Sequence, residues 1–101
     1  MMSLQKMIVD LLQGVYDPEE RIKIASSINL LRDVFARGRM NFDQLKAELT
    51  DIIASVYALR YPELTYEELR ERAAAKAEEM ARAVVLSTLS SRVREVARSP
   101  I

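Results

Sequence analysis

Apolar residues recur along this chain at helical intervals, in four runs separated by short polar turns. Leu4, Ile8, Leu11 and Val15 fall 4, 3 and 4 residues apart, the spacing that puts side chains on one helical face. Met7 and Leu12 widen that face, and Lys6, Asp10 and Gln13 leave only a narrow polar stripe. A second run has Ile24, Ile28, Leu31 and Phe35 as its seam. The third is the most regular: Phe42, Leu45, Leu49, Ile52, Val56 and Leu59 alternate 3 and 4 apart, a heptad-like ladder broadened by Ile53 and Tyr57. The fourth begins Ala-rich, with Ala73, Ala74, Ala75, Ala77, Ala81 and Ala83, which allows another helix to approach closely. No segment alternates with period two for long enough to predict a strand.

Local chemistry at the ends of these runs supplies boundaries. Asp17-Pro18-Glu19-Glu20 reads as a cap, a proline at the first helical position and acidic residues facing the positive end of the dipole. Arg37 followed by Gly38 is a stop signal. Asn41 with Gln44, and Thr65 with Glu68, have the three-residue spacing of a capping box. Tyr61-Pro62 closes the third run, because a residue before proline avoids helical angles. The prediction is one all-α domain spanning 1–101, a four-helix bundle-like arrangement with helices at about 3–14, 18–37, 42–60 and 66–98.

Length then raises a question of assembly. Two helices of about 20 residues are roughly 30 Å long. That is close to the diameter of roughly 30–35 Å expected of a compact domain of this size. An unbroken fourth helix would reach about 50 Å and overhang by roughly ten residues. The overhang carries Leu86, Leu89, Val93 and Val96, so it is not a solvated tail. Either the helix breaks near residues 87–91, where Ser87, Thr88, Ser90 and Ser91 weaken helix propensity, or it stays straight and a second chain covers it. The straight helix is the favoured expectation. The first helix adds Val9, Leu12 and Tyr16 away from its main seam. These seven residues form the expected interface of a homodimer.

Composition removes whole classes of chemistry. The 101 residues include no Cys, no His and no Trp. A disulfide, a thiolate nucleophile, a Cys/His zinc site and an imidazole base are therefore all impossible. Fifteen basic and fifteen acidic residues give zero formal net charge, which disfavours a nucleic-acid partner bound by bulk electrostatics. No run approaches the roughly 18 apolar residues of a membrane span. Asp10 interrupts the first apolar run and no small-residue cleavage site follows, so neither a signal peptide nor a membrane partner is expected. A cytoplasmic location is the default expectation. The excess of Arg over Lys, 11 to 4, leans weakly toward a thermophilic source.

Three constellations could carry chemistry. Glu67, Glu71 and Glu78 share a helical face and could hold a divalent cation. The stretch Glu67-Glu68-x-x-Glu71 resembles the first acidic motif of all-α nucleotide pyrophosphohydrolases. The second motif of those enzymes is missing, since only Glu95 follows and Arg98 stands three residues on in place of Asp. Arg37 and Arg39 flank the start of the third helix, where an anion could bind, although Asp43 opposes it. Arg82, Arg92, Arg94 and Arg98 make the C-terminus basic, with Glu95 against them. Tyr57, Tyr61 and Tyr66 flank the Pro62 turn and are expected to staple two helix ends together.

A helix-turn-helix reading is disfavoured, because Asp43, Glu48 and Asp51, or Glu67, Glu68 and Glu71, would face DNA phosphate. The expected function is non-enzymatic: a self-associating interaction, scaffold or accessory protein without a cofactor, its partner a second copy or another protein. A nucleic-acid-associated accessory role for the Arg-rich C-terminus is the alternative, and a carboxylate-metal enzyme is the third.

Overall fold

A computed structural model gives the backbone of residues 3–98 and the side chains through Leu89. Four helices follow one another: α1 (Leu4–Leu12), α2 (Pro18–Ala36), α3 (Phe42–Arg60) and α4 (Tyr66–Arg98). No strand is present among the described residues. The all-α expectation holds, and the boundaries differ from the sequence reading mainly at the end of α1, which stops two residues sooner. α4 is one unbroken helix of 33 residues, so the predicted alternative of a break near 87–91 is not adopted.

Each helix begins where a side chain replaces a missing backbone partner. Ser3 Oγ accepts from the Lys6 amide at 3.2 Å, and Asp17 Oδ1 from the Glu19 amide at 3.0 Å. Both capping boxes are complete. Asn41 Oδ1 accepts from the Gln44 amide at 2.8 Å, while the Asn41 amide donates to Gln44 Oε1 at 2.9 Å. Thr65 Oγ1 accepts from the Glu68 amide at 3.1 Å, and the Thr65 amide donates to Glu68 Oε1 at 3.2 Å. Such caps contribute about 1 kcal/mol each.

α2 ends differently. Gly38 has φ 73°, the Arg39 amide donates to Val34 O at 3.1 Å, and the Gly38 amide donates to Phe35 O at 3.0 Å. This is a Schellman stop, and it needs a left-handed residue at Gly38.

The chain runs up and down through neighbouring helices. Gln5 Nε2 donates to Asn29 Oδ1 at 3.1 Å, and Arg21 Nη1 to Val15 O at 3.3 Å, so α1 and α2 lie antiparallel. Arg70 Nη1 meets Asp51 Oδ1 at 2.8 Å, which sets α4 antiparallel to α3. The end of α1, the start of α2, the end of α3 and the start of α4 therefore share one end of the molecule.

α3 and α4 make the most extensive contact in the fold, and α1 touches both α2 and α4. Leu45, Leu49, Ile53 and Val56 of α3 are fully buried with Ala73, Ala77, Met80, Ala81 and Val84 of α4 in one core. α2 adds a single fully buried side chain, Ile28, with Ile24, Leu31 and Phe35 half-buried beside it.

Two details of the sequence reading are corrected. In α3 the buried position is Ile53, with Ile52 only half-buried, and Leu59 at the end of the expected ladder is 77% exposed. A ladder of strict heptads assumes a supercoiled seam, whereas a straight helix drifts about 20° per heptad and moves the buried face onto Ile53. The second correction is Leu12, expected at an interface. It is 8% exposed and belongs to the core, because α1 is covered by α2 on one side and α4 on the other.

Two substitutions test this account by chemical denaturation. Leu49→Ala should cost about 3 kcal/mol, the loss expected when a fully buried leucine leaves a cavity. Gly38→Ala should cost about 1 kcal/mol. Its Cβ would meet nothing within 4 Å, so the whole loss is backbone strain, and Gly38→Asn should recover part of it.

Candidate interaction surfaces

The residues expected at an interface fall into three groups. Val9 and Tyr16 are exposed, Tyr16 at 90%, one on the outer face of α1 and the other in the turn that follows it. Leu86 and Leu89 of α4 are exposed at 44% and 50%. Leu12 is in the core, as described above. The side chains of Val93 and Val96 lie outside the described residues.

The structure adds exposed apolar side chains that the seams did not identify: Ile22 and Leu30 on α2, Leu59 on α3 and Tyr66 on α4. Ile22 and Leu30 were visible in the sequence as apolar residues off the α2 seam. Leu59 was hidden because it continued a ladder.

Leu59 and Tyr16 share a feature of shape. Gly14, Val15, Tyr16, Ile24, Val56 and Leu59 line an open groove of about 450 Å³ at the end of the molecule where α1 stops and α2 starts. Its lining is mainly apolar, and Asp17 and Glu20 stand at its rim.

Arg60, beside the groove, packs its side chain against Gly14, where a Cβ would fall 2.9 Å from Arg60 Cδ. Its guanidinium carbon lies 5.4 Å from the centroid of the Tyr61 ring, close enough for a cation–π contact. Tyr61 in turn meets Tyr57 edge-to-face at 5.5 Å between centroids. Burial raises the Tyr57 pKa above its ordinary 10.0, against the opposing field of Lys76. Tyr57 and Tyr61 both belong to the end of α3, so their contact does not staple two helix ends together as expected, and Tyr66, at the start of α4, stands apart at 75% exposure.

Some members of the charged constellations have ordinary partners. Glu78 Oε1 lies 3.8 Å from Arg82 Nη2, and Glu79 Oε2 lies 3.3 Å from Lys76 Nζ. Glu68 bonds Thr65 rather than reaching toward its neighbouring carboxylates. Among the described residues no three carboxylates converge to hold a metal ion, Glu67, Glu71 and Glu78 included. Arg37 and Arg39 are exposed in the Schellman turn. The side chains of Arg92, Arg94 and Arg98 lie outside the described residues.

Among the described residues no helix is long and apolar enough to cross a membrane. No protein-family model, curated protein or solved structure matches the chain.

The Thr65–Glu68 box has a consequence for pH. Hydrogen bonds from the Thr65 amide and hydroxyl side lower the Glu68 pKa below its ordinary 4.5. A carboxylate with a depressed folded-state pKa contributes stability that is present above the ordinary value and is lost as pH falls through the lowered one. The stability gap between the native chain and Glu68→Gln should therefore narrow on acidification below pH 4.5. Urea midpoints across that range, with an NMR titration of the Glu68 carboxyl, check the sign.

Proposed function

We propose that this chain is a non-enzymatic, self-associating helical protein whose up-and-down bundle is completed by a second copy. Its role is that of an interaction, scaffold or accessory subunit. The observation that carries the reading is the apolar surface that the single chain leaves uncovered, from Val9 and Tyr16 to Leu86 and Leu89. Scattered apolar residues are normal on a monomer, but here they accompany a helix that outruns its neighbours.

The extent of that overrun follows from the Asp51–Arg70 ion pair. Nine residues back from Asp51 is Phe42, the start of α3, and nine on from Arg70 is Glu79. The 19 residues of α4 beyond Glu79 extend about 28 Å at 1.5 Å each. The molecule is correspondingly elongated, 58 Å along its main axis against 28 and 24 Å across. The first part of this extension is still covered, since Val84 is buried and Ser87 and Thr88 are half-buried. Leu86 and Leu89 on the same stretch are exposed.

Absolute mass from light scattering on a sizing column tests the reading, and the expected result is a dimer. A chain truncated after Ser87 keeps the five fully buried residues of the described part of α4, Ala73 to Val84, and should fold as a monomer with reduced stability. A full-length monomer at high micromolar concentration, or a truncated chain that keeps the full assembly, contradicts the proposal.

A further inference from the structure

The C-terminal stretch of α4 and the groove beside Leu59 match in level, in charge and in apolar character, and the match requires two copies. Level comes first. The groove sits at the end of the molecule where α4 starts, while the last turns of α4 project beyond the opposite end. One chain cannot bring the two together without breaking α4. A two-fold axis crossing near Arg82, midway between Tyr66 and Arg98, sets the last turn of one α4 level with the first turn of the other.

Charge is the second respect. The groove end of the molecule carries Asp17, Glu19, Glu20, Glu63, Glu67, Glu68 and Glu71. Its cations are Arg21, Lys23, Arg60, Arg70 and Arg72, of which Arg21 donates to Val15 O, Lys23 lies 3.8 Å from Glu20 Oε1 in an exposed pair, Arg60 covers Tyr61 and Arg70 pairs with Asp51, so the acids still outnumber the cations at this end. The far stretch of α4 carries Arg92, Arg94 and Arg98 against Glu95 alone. Opposite ends of a neutral chain thus hold opposite charge.

Third, Leu86, Leu89, Val93 and Val96 fall 3, 4 and 3 apart, one narrow stripe on a helix. The groove has room for a few aliphatic side chains from such a stripe, and Tyr16 and Leu59 stand exposed to flank it.

We propose that two copies pair antiparallel, each seating the stripe that ends in Val93 and Val96 in the other's groove against Leu59 and Tyr16. Arg94 and Arg98 of one copy then meet Asp17 and Glu20 of the other. This names the contact for the self-association proposed above and rests on that reading.

The absence of cysteine makes a clean test. Full-length Leu59→Cys and Val96→Cys chains, mixed and oxidised, should give a disulfide-linked pair, because the bond forms only between sulfurs brought close. Arg39→Cys, in the turn at the other end, should link to Val96→Cys about tenfold less, as expected without a raised effective concentration. Glu20→Arg and Arg94→Glu should each weaken the dimer roughly three- to tenfold, and the double variant should recover it.

A dimeric mass with no Leu59–Val96 link and no charge-swap recovery overturns the docking while self-association stands. A monomeric mass removes both. A dimer in which Nile red fluoresces from a groove that Leu59→Arg abolishes shows the groove open to a small apolar ligand, and likewise overturns the docking.

Discussion

The close approach of α3 and α4 is the constraint on which the rest of the fold depends. Ala73, Ala77 and Ala81 follow one another at four-residue intervals and are fully buried. So short a set of side chains lets the backbone of α4 come near α3, and the large residues Leu45, Leu49, Ile53 and Val56 fill the space between. Each large aliphatic side chain so buried contributes about 1.5–3 kcal/mol, far more than any surface ion pair in the molecule. Asp51–Arg70, at the edge of this contact, adds register rather than much stability. With that register set, the level of every α4 residue follows, including those that pass beyond α3.

A pair of helices packed along one side leaves an exposed apolar flank, and α1 and α2 cover it unequally. α1 is short but apolar over most of its surface, and it closes against α2 and α4 with Leu4, Met7, Ile8, Leu11 and Leu12. α2 is twice as long and contributes one fully buried residue. The apolar residues α2 carries in excess of what it buries, Ile22 and Leu30 among them, remain at the surface. The groove lies among the same elements, lined by the turn after α1, by Ile24 of α2 and by Val56 and Leu59 of α3. Incomplete covering of a strong two-helix core explains the uncovered patches.

The parts of this structure legible in the sequence are those set by residues within one turn of each other. Asn41 with Gln44, Thr65 with Glu68 and Asp17 before Pro18 fix three helix starts through contacts that span three residues or fewer, and Gly38 after Arg37 fixes one stop through contacts that span three and five. The all-α class follows from periodicity. What was misread depends on distant neighbours. Ile52 and Ile53 are adjacent and alike, and only the true pitch of α3 against α4 decides which turns inward. Leu12 lies off the α1 seam, and only the presence of a second neighbour buries it. The groove was not legible at all, because it is a gap between Gly14, Ile24 and Leu59, far apart in sequence. The shared face of Glu67, Glu71 and Glu78 was read correctly, but helical spacing alone does not turn carboxylates inward upon a common point, and Arg82 takes one of them.

Charge in this chain carries information that its zero sum conceals. Acidic residues gather at the starts of α2 and α4, where the helix dipole favours them, and up-and-down packing puts both starts at one end. Arginines gather in the last turns of α4, again with the dipole, and the length of α4 carries them far from the acidic end. Dipole complementarity within single helices therefore produces a molecule with one acidic end and one basic end without any further selection. Two such molecules repel when aligned parallel and attract when antiparallel, so the same residues that stabilise the isolated helices also choose the orientation of an assembly. In the proposed pair the apolar surface would supply the driving force, and the separation of charge would disfavour the parallel arrangement that apolar contact alone would tolerate.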